Sequence, residues 1–183
     1  MDTNTHNPYL FKALDAYPYE LDTAVEALNY ALSYDPENTE ALYLMADLYG
    51  YQLGDYETAK SYYEKVLSIN LNIPKVYPDY LYILIRNEDF AEAQKLLAFA
   101  LKVKATDKPL LRLLQGQLME KQGTIKPALQ AYKEAKKKGQ NTQFINFAKS
   151  EIDRVKEKLP KRKKSKKKSK KKTSKSKKKS RSK

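Results

Sequence analysis

The stretch Ala41–Pro74 reads ALYLMADLYGYQLGDYETAKSYYEKVLSINLNIP. Leu42, Met45, Ala46 and Tyr49 fall at helical steps, and Leu53-Gly54-Asp55 interrupts the pattern. Ala59, Tyr63 and Val66 then resume it, at steps of four and three that keep them on one face of a second helix. Gly54 suits a helix end that needs left-handed backbone. The reading is two amphipathic helices joined by a tight turn. The small Ala lets a neighbouring helix approach closely, while the larger residue fills the groove beside it.

The same unit recurs along the chain. DTAVEALNYAL, ETAKSYYEKVL, AEAQKLLAFAL and KPALQAYKEA align on Ala24, Ala59, Ala93 and Ala128, at intervals of 35, 34 and 35 residues. A large side chain follows four residues later at Leu28, Tyr63, Leu97 and Tyr132. Ala31, Val66, Ala100 and Ala135 come three residues after those. A leading helix precedes each of the later three units, expected over Thr39–Tyr51, Lys75–Ile85 and Pro109–Lys121. Turns at Asn87-Glu88-Asp89 and Gln122-Gly123-Thr124 match the one at Gly54, and Asp89 with Glu92 reads as a capping box. The first leading helix, about Pro8 to Ala16, is short and is cut off by Pro18. No stretch alternates with period two long enough to argue for a strand.

In its spacing of Leu42, Ala46, Tyr49, Gly54-Asp55-Tyr56, Ala59, Tyr63 and Pro74, this unit resembles a tetratricopeptide repeat. It departs in having one extra residue before Gly54 and no aromatic at Leu42. The third unit lacks the turn Gly and has Leu81 where a small residue is usual. The fourth keeps Gly116, Gly123, Ala128, Tyr132 and Ala135. The resemblance implies an all-α solenoid of about four helical hairpins over residues 1–140. Each hairpin buries its apolar face only by stacking on the next, and the last one needs a cap. Residues 141–159 fit that task, with Ile145, Ala148, Ile152, Val155 and Leu159 on one stripe.

Charge divides the chain. The net +14 belongs to residues 160–183, which hold 16 Lys or Arg, six Ser, one Thr and one Pro, and no acid. Residues 1–74 carry 12 acids against three bases, a net of −9. Residues 75–159 carry ten acids against 17 bases, a net of +7. Such polarity bears on encounter and partner choice rather than on fold. The Lys-rich end is too charged to collapse and is expected to be disordered.

Composition narrows the chemistry. With no Cys and a single His, His6, thiolate metal sites and Cys/His or Ser/His/Asp arrangements are out of reach. The five Gly are scattered, so no phosphate-cradling loop exists. Nothing calls for a cofactor, and the chain reads as non-enzymatic. The N-terminus lacks the basic start and apolar core of a signal peptide. No apolar stretch approaches the ~20 residues that cross a bilayer. A cytoplasmic protein is expected, or a nuclear one in a nucleated cell, where Lys161 to Lys164 reads as an import signal.

Two binding elements remain. In proteins of the resembling family the leading helices line a concave groove for peptides. By that resemblance Tyr43, Asp47, Tyr51, Asp79, Tyr82, Arg86, Leu113, Gln117 and Glu120 face the groove. Its first half is aromatic and acidic, which favours a protein or peptide partner with basic and apolar residues. The Lys/Asn/Arg clamp that some family members use on chaperone C-termini is absent, since Tyr43, Leu44, Asp47, Lys75 and Asp79 hold those places. The second element is Lys161, Arg162, Lys163, Lys164, Lys166, Lys167, Lys168, Lys170, Lys171 and Lys172. Lysines without interleaved aromatics predict non-specific phosphate contact, to DNA, RNA or ribosome, rather than base reading. A membrane surface is disfavoured, because no acyl site or apolar anchor adjoins the run. The reading is an interaction scaffold, and the alternative is a nucleic-acid- or ribosome-associated protein in which the basic run does the binding.

Overall fold

A computed structural model of the chain describes residues 7–159. His6 and the basic run 160–183, with its expected disorder and polyanion contacts, lie outside the described residues.

Nine α-helices follow one another among the described residues. They are α1 (Pro8–Ala16), α2 (Leu21–Tyr34), α3 (Thr39–Asp47), α4 (Tyr56–Ile69), α5 (Val76–Arg86), α6 (Phe90–Ala100), α7 (Lys108–Lys121), α8 (Ile125–Lys138) and α9 (Thr142–Glu157). No strand occurs among them. Consecutive helices pack as the hairpins α1/α2, α3/α4, α5/α6 and α7/α8. Each trailing helix also packs on the next leading one, α5 packs on α7, and α9 packs on α8.

Local chemistry sets most of the boundaries. Asn7, Asn38, Asp55, Asp107 and Asn141 each cap a helix, their side-chain oxygens accepting backbone N–H groups that have no intrahelical partner. Pro8 and Pro109 open α1 and α7, where the missing N–H costs nothing. Gly54 and Gly123 turn with φ of 69° and 75°. The turn without a glycine makes the same left-handed step at Glu88, φ 66°.

The aligned alanines sit at the centre of the packing. Ala24, Ala59, Ala93 and Ala128 are fully buried, as are Leu28, Tyr63 and Tyr132, and Leu97 nearly so. Three apolar clusters follow one another along the stack. The first joins α1 to α3, the second runs from α3 to α7, and the third ties Leu113, Ala128 and Tyr132 to Ala148, Ile152 and Val155 of α9. The caps Asp107 and Asn141 stand one repeat apart, so α9 occupies the place of a fifth leading helix.

Three local expectations are corrected. The helix expected over Thr39–Tyr51 ends as α-helix at Asp47 and continues as a π-helical turn, Leu48–Leu53. The wider turn absorbs the extra residue before Gly54, so Tyr49 still stacks on Tyr62 of α4, ring centroids 5.8 Å apart. The capping box at α6 does not form, because Asp89 makes no side-chain cap. Instead Lys60 of α4 binds Asp89 at 3.1 Å and Glu92 at 2.8 Å, drawing both carboxylates across to the preceding hairpin. Finally, α5 begins at Val76 and ends at Arg86, one residue later at each end than expected.

Candidate functional site

The leading helices α3 and α5 bring six of the nine expected groove residues together. Positions 43, 47 and 51 follow one face of α3 into its π-helical turn, and positions 79, 82 and 86 follow the facing side of α5. Tyr43 Oη donates to Asp79 Oδ2 at 2.6 Å. Tyr51 Oη donates to Asp79 Oδ1 at 3.2 Å. The rings of Tyr51 and Tyr82 stack at 5.2 Å, nearly parallel. The π-helical turn that carries Tyr51 thus sets its phenol over α5.

Asp47 lies in the same half-buried setting. Tyr63 Oη donates to its Oδ1 at 2.5 Å from beneath, on α4. Burial disfavours the charge on Asp47, and the Asp79 carboxylate adds repulsion, so its pKa is pushed up to about 6. The hydrogen bond from Tyr63 only partly offsets this. Burial also raises the Asp79 pKa, against the hydrogen bonds from Tyr43 and Tyr51 and the charge of Lys75. The Tyr43, Tyr51 and Tyr63 phenols stay protonated, held well above their ordinary range by burial and the neighbouring carboxylates.

Cations of the chain already rest on these rings. The Lys75 ammonium lies 4.4 Å from the Tyr43 ring centroid while pairing with Glu40 at 2.7 Å. The Arg86 guanidinium lies 5.9 Å from the Tyr82 ring. Ring faces beside two carboxylates attract positive charge, and the attraction strengthens as water is excluded. The arrangement suits capture of a Lys or Arg side chain.

The other three expected residues depart from this picture. Leu113 is corrected outright: it is 3% exposed and packs into the core with Ala128 and Tyr132. Glu120 is engaged by α9. Arg154 grips it with both terminal nitrogens at 2.5 and 2.6 Å, Lys158 Nζ lies at 2.6 Å, and Tyr132 Oη donates at 3.0 Å. These partners hold the Glu120 pKa down to about 2. Gln117 is half-buried on α7. The fifth leading helix therefore covers the end of the expected groove.

Sequence reading missed the hydroxyl of Tyr63, assigning that residue to packing alone. Tyr63 and Tyr132 hold the same place in their repeats, and each donates to a carboxylate on its own leading helix, Asp47 and Glu120. An acid placed in the leading helix ahead of such a Tyr was the available signal. Lys75 and Glu40 were legible in the same way, standing 35 residues apart, one repeat length.

Profiles of the tetratricopeptide repeat match residues 39–73 and 82–141. This chain is a tetratricopeptide-repeat protein. Solved structures agree on the fold. Yeast Tom70 superposes with a TM-score of 0.68 at 20% identity over 82% of this chain, which spans 33% of the Tom70 chain. PilW, described as a widely conserved type IV pilus biogenesis factor, gives 0.66 at 19% identity, covering 84% of this chain and 79% of its own. MamA from Desulfovibrio magneticus RS-1 gives 0.63 at 19% identity, covering 82% and 88%. No curated protein matches the chain in sequence. Among the described residues no helix is long and apolar enough to cross a membrane.

Proposed function

We propose that this tetratricopeptide-repeat protein is a non-enzymatic interaction scaffold whose second and third repeats hold a peptide segment of a protein partner. The segment carries Lys or Arg together with apolar or aromatic residues. One observation carries the reading: Asp47 and Asp79 lie half-buried between α3 and α5, ringed by Tyr43, Tyr51 and Tyr82. Two carboxylates that Lys75 only partly balances favour a further cation, and the stacked rings offer contact area at low entropic cost. Residues 161–172 supply non-specific phosphate contact that holds the assembly near a polyanion. Family membership supports the scaffold reading, because stacked helical repeats present extended binding surfaces.

Selection of random peptides on the immobilised chain tests the groove. Enriched peptides are expected to pair a basic residue with an apolar or aromatic one. Their binding should fall at least tenfold in the Asp47→Asn/Asp79→Asn double variant. Enrichment of acidic peptides, or equal binding to that variant, would end this reading. The alternative, nucleic-acid or ribosome association through the basic run, rests on its 16 Lys or Arg without an acid. A gel shift with RNA and duplex DNA decides it. Binding that ignores salt, or that survives removal of residues 160–183, counts against that role.

A further inference from the structure

The chain contains its own candidate ligand for the acidic face. Charge, geometry and chain length bear on this independently.

The charges are arranged in sequence blocks. Residues 1–74 carry a net −9, residues 75–159 a net +7, and residues 160–183 carry 16 bases without an acid. The basic run is attached to the half of the molecule that repels it. The attraction lies in residues 1–74, and at their border with the second half Asp47 and Asp79 stand together among the tyrosine rings.

The described chain also leaves the fold on the relevant side. Arg154 and Lys158, near the last described residue, both bind Glu120 near the end of leading helix α7. Leading helices α5 and α3 follow in the same row. α5 packs directly on α7, and Tyr43 of α3 bonds Asp79 of α5. At the 8–10 Å spacing of packed helices, α3 lies roughly 20 Å from α7. A chain reaches at most ~3.3–3.6 Å per residue, so about eight residues cover that distance. Lys166, Lys167 and Lys168 are then within reach of Asp47 and Asp79.

We propose that residues 161–172 dock on the acidic, tyrosine-lined face of the same chain when no polyanion is bound, and that phosphate polymers release them. The inference rests on the groove reading given above. It makes the scaffold self-masking: a partner peptide competes with the chain's own lysines, and capture of the lysines by a polyanion opens the groove. Attachment makes the competition intramolecular, with an effective concentration on the order of millimolar for a short tether. Lys75 on Tyr43 and Arg86 on Tyr82 are the local precedent for cations settling on these rings.

Zero-length carbodiimide cross-linking of the full chain at low salt, mapped by mass spectrometry, tests the contact. Lysines 161–172 should join Asp79 and the acids of residues 7–74, Asp47 included, several times more often than the other nine acids of residues 75–159. The pattern should hold over a roughly hundredfold range of protein concentration, as an intramolecular contact requires. It should fade with added salt or with polyphosphate. Equal joining to those other nine acids would overturn the proposal. So would links that form only between copies and grow with concentration, which would make a second copy the occupant.

A fluorescent peptide taken from the selection supplies the functional readout. It should bind the full chain at least tenfold more weakly than a chain ending at Leu159, and polyphosphate should erase the difference. Every residue of the three apolar clusters lies between Leu10 and Val155, so the shortened chain keeps the whole core. Equal affinity for the two chains overturns self-masking while the groove stands. Binding to neither chain overturns the groove itself.

Discussion

Tyr43 of α3 donates its phenolic proton to Asp79 of α5 at 2.6 Å. The bond joins the leading helices of two successive repeats through side chains on their facing sides. Asp79 also accepts from Tyr51, so one carboxylate gathers two phenols from the helix in front of it. The same bonds hold the rings at fixed angles, which lowers the entropic cost of receiving a ligand.

Removing the Tyr43 hydroxyl tests how much this link contributes. Tyr43→Phe leaves the ring and deletes a hydrogen bond to a half-buried carboxylate, costing about 1 kcal/mol after allowance for partial exposure. The deficit should appear in urea unfolding at neutral pH. It should shrink as pH falls through the raised pKa of Asp79, because a protonated carboxyl accepts the bond less strongly. A deficit that is constant with pH would mean the hydroxyl acts through packing.

Asp47 gives a distinct pH signature. Its folded pKa, about 6, lies above the ordinary carboxylate value of 3.8, so the folded chain binds the proton more tightly than the unfolded chain. Stability from this group is therefore complete below pH 3.8 and is lost as pH rises through about 6. Asp47→Asn keeps an oxygen for the Tyr63 hydroxyl and carries no charge. The variant should melt at a higher temperature than the natural chain at pH 7.5, and the gap should close towards pH 4. Thermal melts followed by circular dichroism measure it. The difference between the two proteins cancels the titration of carboxylates far from the site.

The fold was legible because it is periodic. Ala24, Ala59, Ala93 and Ala128 mark four trailing helices, and fully buried alanines at one repeat spacing leave few other ways to pack. The acidic half of the site was legible for the same reason, since Tyr43, Asp47 and Tyr51 share a face with any helix drawn through them. Leu113 was misplaced because its face was carried over from the resemblance without the helix that follows α8. Once α9 stands as a fifth leading helix, that face becomes interior. Glu120 was misread likewise, although Arg154 stands 34 residues beyond it, one repeat length. The π-helical turn left a sequence trace as one surplus residue, but a surplus residue does not reveal whether a bulge, a longer loop or a wider helix will absorb it.

Glu120 is the main polar tie between α7 and α9. Its pKa is lowered to about 2, so its contribution is present above 4.5 and is lost as pH falls through about 2. Glu120→Gln breaks the paired contact with Arg154 and leaves Lys158 without its partner. The expected cost is about 1 kcal/mol, since Arg154 and Lys158 are both largely solvent-exposed. The loss should be local. Hydrogen exchange should accelerate over Thr142–Glu157 and stay unchanged over α3 to α5. Uniform acceleration would show that α9 and the repeats unfold as one unit.

Gly116 shows how closely the fourth hairpin is packed. A Cβ placed there would come within 2.6 Å of the fully buried Tyr132 ring. Gly116→Ala favours the helix by roughly 1 kcal/mol in backbone terms. Overpacking opposes it at about 1–3 kcal/mol, because Tyr132 is enclosed by α7, α8 and α9 and its hydroxyl is bonded to Glu120. The clash is the larger effect, so net destabilisation is expected in urea unfolding. Gly116→Ala with Tyr132→Leu should recover part of the loss, since the smaller side chain vacates the space the methyl group needs. A single variant as stable as the natural chain would mean that α7 and α8 can separate without penalty.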